Sequence, residues 1–373
     1  MSSLAAARLP RPLHPVAWWL WALALAAAAS RTGNPLLLAL IFAVLGLAVT
    51  VRRGDAPWAR AFGYYLLLAL SVIVIRVLFR AVFASGTGPD DHILFTLPHL
   101  PTPDWYAGIQ LGGPVSLEAV LSAALDGLRL ACLLCCIGAA NTLANPKRAL
   151  RVLPGALYEL GVAVTVALTV APQLVESVQR VARARRLRAG RTKGLRALRA
   201  IALPVLHDAL DRSLRLAAAM DSRGYGRTGP ATRASRLATG ALMLTGMTGL
   251  CVGAYGLLDP TVPGGVGVGG FAVGAVLCTG GLILGGRRVS RSRYRPDPWQ
   301  WPEWTVAVGG LTTAVVLAAA TGYDPAALGT GPLRWPTLPV LPAAAILLAA
   351  VAALAAPPPP PRHRPAVLAG ALR

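Results

Sequence analysis

Acidic side chains are scarce in this chain. It has 15 Asp and Glu against 36 Lys and Arg, and only two of the basic residues, Lys147 and Lys193, are lysines. Charged residues of both signs reach 14%, where a soluble domain carries about 25%. A water-facing surface large enough for a soluble enzyme is therefore missing, and a hydrophobic content of 55% excludes disorder. Nucleotide chemistry is missing too. No GxxxxGK[ST] occurs and neither lysine follows a glycine, so the chain has no P-loop of its own. HExxH and GxSxG are absent. No catalytic residue, resident metal or cofactor is expected.

Cysteine is equally sparse. Cys132, Cys135, Cys136, Cys251 and Cys278 all lie in apolar stretches, so no disulfide framework is expected. Cys132-x-x-Cys135 has redox-motif spacing, but within Leu130–Ile137 its cysteines read as small packing residues. Gly265-Val266-Gly267-Val268-Gly269-Gly270 matches GxGxxG, yet it opens an apolar span with no βαβ context and reads as small-residue helix packing. The five histidines are scattered. His92 and His99 share a loop with Asp90 and Asp91, which reads as a solvated loop in preference to a metal-capture site.

What the chain does have is long apolar runs. A spanning helix needs roughly 20 such residues, and candidates lie at 16–30, 35–51, 61–84, 117–140, 236–258, 266–286, 303–320 and 339–356. The expected fold is an all-α polytopic membrane protein with about eight transmembrane helices and a cytosolic two-helix coupling domain. With the N-terminus in the cytosol, the loop at 52–60 carries Arg52, Arg53 and Arg60 inside, 141–235 holds 17 Lys and Arg inside, and 287–302 carries five Arg inside. The loop at 85–116 falls outside with no Lys or Arg. This charge asymmetry follows the positive-inside rule and places both termini in the cytoplasm. Pro357–Pro361 reads as a cytosolic polyproline stub. Arg76 and Arg80 lie near the outer end of the third span, where they can snorkel. Asp126 and Arg129 share a face of the fourth and read as a mutually neutralising pair. The organisation expected is N-terminal transmembrane helices over 1–140, a coupling domain over 141–235, and C-terminal transmembrane helices with a basic, Pro-rich tail over 236–373.

The segment 141–235 is the informative one. A first helix over about 156–189 starts apolar, passes Pro172 and ends strongly basic, with Arg180, Arg183, Arg185, Arg186, Arg188 and Arg191 before and after a stop at Gly190. A second over about 194–222 carries Leu195, Leu198, Ala202, Val205, Leu206, Ala209, Leu210, Leu214 and Ala217 on one face, and the i,i+4 pairs Asp208–Arg212 and Asp211–Arg215 on the other. Pro204 should kink it, and Arg223-Gly224-Tyr225-Gly226 ends it. Two helices thus each carry an arginine into a glycine-terminated tip. The guanidinium complements the helix dipole and presents a planar fork to a partner's carboxylate. A polybasic segment on anionic lipid would explain the charge but not the paired helix-Arg-Gly endings.

These residues resemble the transmembrane T component of energy-coupling factor (ECF) transporters, the EcfT/CbiQ family, over roughly 10–230. The resemblance rests on Leu13-His14-Pro15, Asn34-Pro35-Leu36-Leu37-Leu38, Asn145-Pro146 through Leu153-Pro154, and Pro172 with Glu176. Its most specific parts are Ala184-Arg185-Arg186-Leu187-Arg188-Ala189-Gly190-Arg191 and Ala219-Met220-Asp221-Ser222-Arg223-Gly224-Tyr225-Gly226. The family's Ala-Arg-Gly becomes Ser222-Arg223-Gly224 in the second, and one residue separates Arg188 from Gly190 in the first. The resemblance implies that Ala184, Arg185, Arg188, Gly190, Ser222, Arg223 and Gly224 couple to ATPases, with Pro172, Glu176 and Pro204 as hinge or packing residues. It further implies two cytosolic ABC-type ATPase subunits and a small membrane S component as partners, in a bacterial cell membrane. The subunit itself would be non-catalytic, serve import of a vitamin or transition-metal ion, and bind no nucleic acid. A membrane-embedded enzyme acting on a lipid-linked phosphate is the alternative, but the sparse, dispersed acidic residues disfavour it.

Overall fold

The computed structural model describes residues 13–53, 61–83, 92–100, 111–152, 155–187, 195–225, 232–258, 262–287, 299–329 and 335–355. Its helices are α1 (Pro15–Ser30), α2 (Pro35–Arg52), α3 (Phe62–Val82), α4 (Leu117–Leu143), α5 (Pro146–Val152), α6 (Tyr158–Leu187), α7 (Leu195–Asp221), α8 (Arg233–Leu258), α9 (Gly264–Gly286), α10 (Trp301–Tyr323), α11 (Pro325–Leu328), α12 (Val340–Ala349) and α13 (Val351–Leu354). A 3-10 turn, Gly155–Leu157, precedes α6. The polytopic helical architecture is as expected. One departure is an antiparallel hairpin between α3 and α4, β1 (Ile93–Leu100) and β2 (Leu111–Ser116), which pairs Phe95 with Val115 and Thr96 with Pro114.

Among the described residues, seven helical segments are long and apolar enough to cross a membrane: Pro35–Arg52, Phe62–Val82, Leu117–Leu143, Gly155–Arg185, Arg233–Leu258, Gly265–Gly286 and Trp301–Tyr323. Six coincide with expected spans. Pro15–Ser30 and Val340–Leu354 are apolar but shorter. Gly155–Arg185 is expected in the cytosolic segment, and it qualifies because Leu160–Val170 is rich in Val, Ala and Leu and carries no charge.

The chain forms two compact units, Met1–Ala149 with Asp297–Arg373, and Leu150–Pro296. Residues 299–355 pack with the N-terminal helices, whereas α8 and α9 group with α6 and α7.

In the first unit the His14-Pro15 and Asn34-Pro35 steps are helix starts. His14 Nδ1 accepts the Val16 amide at 3.3 Å and Asn34 Oδ1 accepts the Leu36 amide at 3.0 Å, each followed by proline as the first helical residue. Asn34 Nδ2 also donates to the Thr337 carbonyl at 2.7 Å, so this cap ties α2 to the segment before α12. The core runs through Trp21, Leu25, Leu37, Leu38, Ile41, Leu45, Leu317 and Ile346. Cys132, Cys135 and Cys136 are fully buried and free, in keeping with a packing role. Two polar side chains inside this core reach backbone carbonyls on other elements, while Thr142 Oγ1 is buried without a hydrogen-bond partner among the described residues. Trp21 Nε1 donates to the Ala349 carbonyl at 3.1 Å and Thr313 Oγ1 to the Ala345 carbonyl at 2.7 Å.

The most consequential polar contact joins α10 to the N-terminal helices. Glu303 is 1% exposed. Its Oε1 accepts the His14 amide at 3.3 Å and its Oε2 the Gln300 amide at 3.0 Å. The buried Arg52 guanidinium interacts electrostatically with Glu303 and lies 5.9 Å from the Trp18 ring centroid. His14 in turn packs on Trp299, with ring centroids 5.5 Å apart.

In the second unit α8 and α9 form a glycine-lined hairpin. A Cβ at Gly246 would lie 2.6 Å from the Cys278 amide nitrogen, and one at Gly267 would lie 2.7 Å from the Gly256 carbonyl carbon. Within the GxGxxG stretch Gly267 and Gly270 pack closely on α8, in keeping with helix packing, while Gly265 and Gly269 face open space. The far end of α9 closes on the 3-10 turn, where a Cβ at Gly155 would meet the Gly286 carbonyl oxygen at 2.7 Å.

Glu303→Ala should leave Arg52 buried without its counter-charge, at a cost of about 3–5 kcal/mol. Thermal unfolding of the detergent-purified chain should show a clear drop in Tm, and the apolar pair Arg52→Met with Glu303→Leu should recover most of it.

Candidate functional site

The candidate coupling residues lie on α6 and α7, which pack together. α6 runs unbroken for 30 residues although Pro172 removes one backbone donor, and α7 runs unbroken for 27 through Pro204. Both prolines are exposed, as is Glu176. The helices meet through a polar clamp. Ser177 is 3% exposed and its hydroxyl donates to Asp208 Oδ2 at 2.9 Å. Arg212 Nη2 donates to the same oxygen at 3.2 Å, and Arg212 Nη1 donates to Gln173 Oε1 at 3.1 Å. The hydrogen bond from Ser177, reinforced by the Arg212 charge, holds the Asp208 carboxyl below its ordinary range.

The clamp uses the polar face of α7, so the expected apolar stripe is left outward. Leu206, Leu210 and Leu214 are 60%, 59% and 67% exposed, while Val205 is buried at the contact. α6 likewise turns Leu160, Val164, Leu168, Val175 and Val178 outward. The clamp's Asp208–Arg212 half was visible as an i,i+4 pair. Its Ser177 and Gln173 half was not, because no sequence signal links positions 31 and 39 residues apart.

The second tip is described through Tyr225, and Gly226 lies outside the described residues. Gly224 adopts φ 72°, its amide donates to the Asp221 carbonyl at 2.9 Å, and the Tyr225 amide reaches back to the Met220 carbonyl at 3.0 Å. That pair of bonds is a Schellman ending. It ends α7 at Asp221 and holds Arg223 at the cap of the helix C-terminus, where the dipole is negative. Ser222 and Arg223 are exposed, and the Ser222 hydroxyl is occupied by the Ala219 carbonyl at 3.0 Å. At the first tip, Ala184 is exposed and Arg185 partly buried. Arg188 and Gly190 lie outside the described residues. Upstream, Arg183 Nε bends to the Gln179 carbonyl at 3.3 Å. Among the described residues no group of three or more His, Cys, Asp or Glu could hold a metal ion. Among the described residues, one clamped helix ends at the exposed Arg223, and the other carries the exposed Arg183 and the partly buried Arg185 in its last turn.

Gly224→Ala should strain the positive-φ position by about 1–2 kcal/mol, fray the last turn of α7 and speed amide exchange over 219–225. Asp208→Ala should release α6 from α7, read as faster amide exchange around Ser177 and Val205. Because the folded Asp208 carboxyl is more acidic than the unfolded one, the clamp is at full strength above the ordinary carboxylate pKa. It should be lost as pH falls through the depressed folded value, so exchange around Ser177 should be flat across neutral pH and rise only in strong acid.

A search of curated proteins gave no match. A protein-family model described as CbiQ, cobalt transport protein, matches residues 6–233. That range takes in both Pro-started N-terminal helices, α6, α7 and the Arg223 tip, and it covers more than half of the chain. This multi-pass membrane protein, a component of membrane transport, thus belongs to the CbiQ cobalt transport protein family.

Proposed function

We propose that the chain is the energy-coupling T subunit of an ATP-driven ECF-type importer, working with two cytosolic ABC-type ATPase subunits and a small membrane S component. The carrying observation is the Schellman-terminated tip of α7. It holds an exposed arginine at a helix end, on a helix clamped to a second one whose C-terminal half is rich in arginine. A guanidinium so placed enters a groove of an ATPase and pairs with its carboxylates, with Arg223 serving one ATPase and the Arg185–Arg188 region the other. A helix of 27 residues is about 40 Å long. The clamp lets α6 and α7 move as one body, so closure of the ATPases shifts their far ends. The outward apolar faces of both helices then bear on the S component. Pro172, Glu176 and Pro204 act as hinge or packing residues along this path. ATP hydrolysis belongs to the partners, and the subunit itself is not an enzyme.

The family description favours cobalt, or another transition-metal ion, over a vitamin as the cargo. The setting is a bacterial cell membrane with both termini cytoplasmic. Although α6 is apolar enough to span, Lys147, Arg148 and Arg151 precede it and Arg180, Arg183, Arg185 and Arg186 crowd its other end. Crossing would put one of these basic flanks outside. Lying along the cytosolic interface keeps both inside and sinks the apolar face into lipid or a partner.

Arg188→Glu combined with Arg223→Glu should lower co-purification of both ATPases at least tenfold, since truncating a buried charge pair costs about 2–5 kcal/mol. Membrane insertion should stay normal. Association at the wild-type level would sink the proposal.

A further inference from the structure

The described part of the segment between α3 and α4 is a hairpin tied to the start of a membrane span. β2 runs directly into α4, and its last residue, Ser116, caps that helix by accepting the Ala119 amide at 3.3 Å. β1 is pinned to the same turn. The Leu117 amide donates to the His92 carbonyl at 2.8 Å. Glu118 Oε2 accepts the His92 amide at 3.0 Å, and Glu118 Oε1 lies 2.7 Å from His92 Nδ1. β2 also packs on α3. Deeper in the spans, Arg76 Nη1 donates to Asp126 Oδ2 at 3.4 Å, so Asp126 turns to α3 and not to Arg129 within its own helix. The first residues of β1 are thus held level with the first turn of α4, where a span meets the membrane surface.

The side chains presented at that level do not suit water. Neither strand contains Asp, Glu, Lys or Arg. Val115 is buried, but its neighbours Ile93, Leu94 and Phe95 are 56%, 53% and 49% exposed. The register shifts by one residue between Ile93 and Phe95, and such a bulge bends a strand and re-aims its side chains. α3, on which β2 packs, also exposes Leu78, Phe79 and Val82 in its last two turns. A two-stranded hairpin is marginal in water, and an open apolar strand there is an aggregation site. Hydrocarbon suits it no better, because the outer edges of two strands leave backbone groups unpaired. The layer between the two media satisfies both demands, with acyl chains for the side chains and water for the edges.

We infer that the Ile93-Leu94-Phe95 patch of β1 inserts into the interfacial layer of the lipid bilayer and anchors the hairpin there, beside α3 and α4. The segment reads in the sequence as a solvated loop, but its described strands are fastened too close to the span and are too apolar for that. A lipid occupant is favoured over a protein one on two grounds. The patch adjoins helices whose outward apolar faces already meet lipid, and its strands hold no charge that would fix the register of a protein partner. In the orientation proposed above, the anchor lies in the outer leaflet.

The test is photocrosslinking of the full chain in cell membranes, with the photoreactive residue p-benzoylphenylalanine in place of Leu94 and adducts identified by mass spectrometry. Irradiation should give a phospholipid adduct in a yield comparable to that of the same probe in place of Leu67, which is exposed in the middle of α3. The probe in place of Phe95 serves if the first variant does not fold. Adding Ile93→Asn and Phe95→Asn to the Leu94 probe should lower the lipid yield about tenfold, since two apolar side chains no longer hold the strand in lipid. A lipid yield near zero at both probe positions would overturn the inference, as would a yield unchanged by the asparagine pair. A protein adduct in place of the lipid one would also overturn it and assign the hairpin to a protein partner. Neither readout involves the ATPases, so failure here is distinct from failure of the coupling proposal.

Discussion

A hydrocarbon layer tolerates neither a bare charge nor an unpaired backbone group, and the organisation of this chain follows from that restriction. Helices satisfy the backbone. Charges collect where a span ends, where a second charge meets them, or where a helix leaves the bilayer. Arg52 illustrates the second case. It ends α2 inside the protein core, so a carboxylate must come to it, and Glu303 is delivered from the far end of the chain with two amides already bound. The helices beyond the family match pack within the two units. α10 and α12 complete the N-terminal bundle, and the α8–α9 hairpin closes on the turn that launches α6.

The same restriction shapes the α6–α7 pair. Two amphipathic helices in water would pack apolar face to apolar face. Here the contact is the Ser177–Asp208–Arg212–Gln173 clamp, and apart from the buried Val205 the larger apolar side chains of the stripe point away. That inversion suits helices set against lipid or another membrane protein, where apolar surface is at home and polar groups seek one another. It also makes the pair rigid, since a directional hydrogen-bonded contact resists sliding better than a row of interchangeable methyl groups.

Much of this was legible in the residues. Runs of about 20 apolar residues announce spans because membrane thickness is nearly constant. His14-Pro15 and Asn34-Pro35 announce helix starts because proline's fixed φ and missing amide fit the first turn. Arg223-Gly224 announces a stop because only glycine takes φ 72° without strain. The glycines of α9 announce a close-packed seam. Each of these is local chemistry, written within a few consecutive positions.

What stayed hidden depends on which helices become neighbours. The sequence by itself determined where helices begin and end, which stretches suit a membrane, and that an arginine closes α7. Only the tertiary structure decided that Glu303 answers Arg52 across 251 positions, that Asp126 turns to Arg76 and not to Arg129, and that the polar side of α7 faces α6. The reason is physical. Backbone preference acts over a few residues, whereas a charge chooses its partner by distance in space, and that distance exists only once the helices have packed.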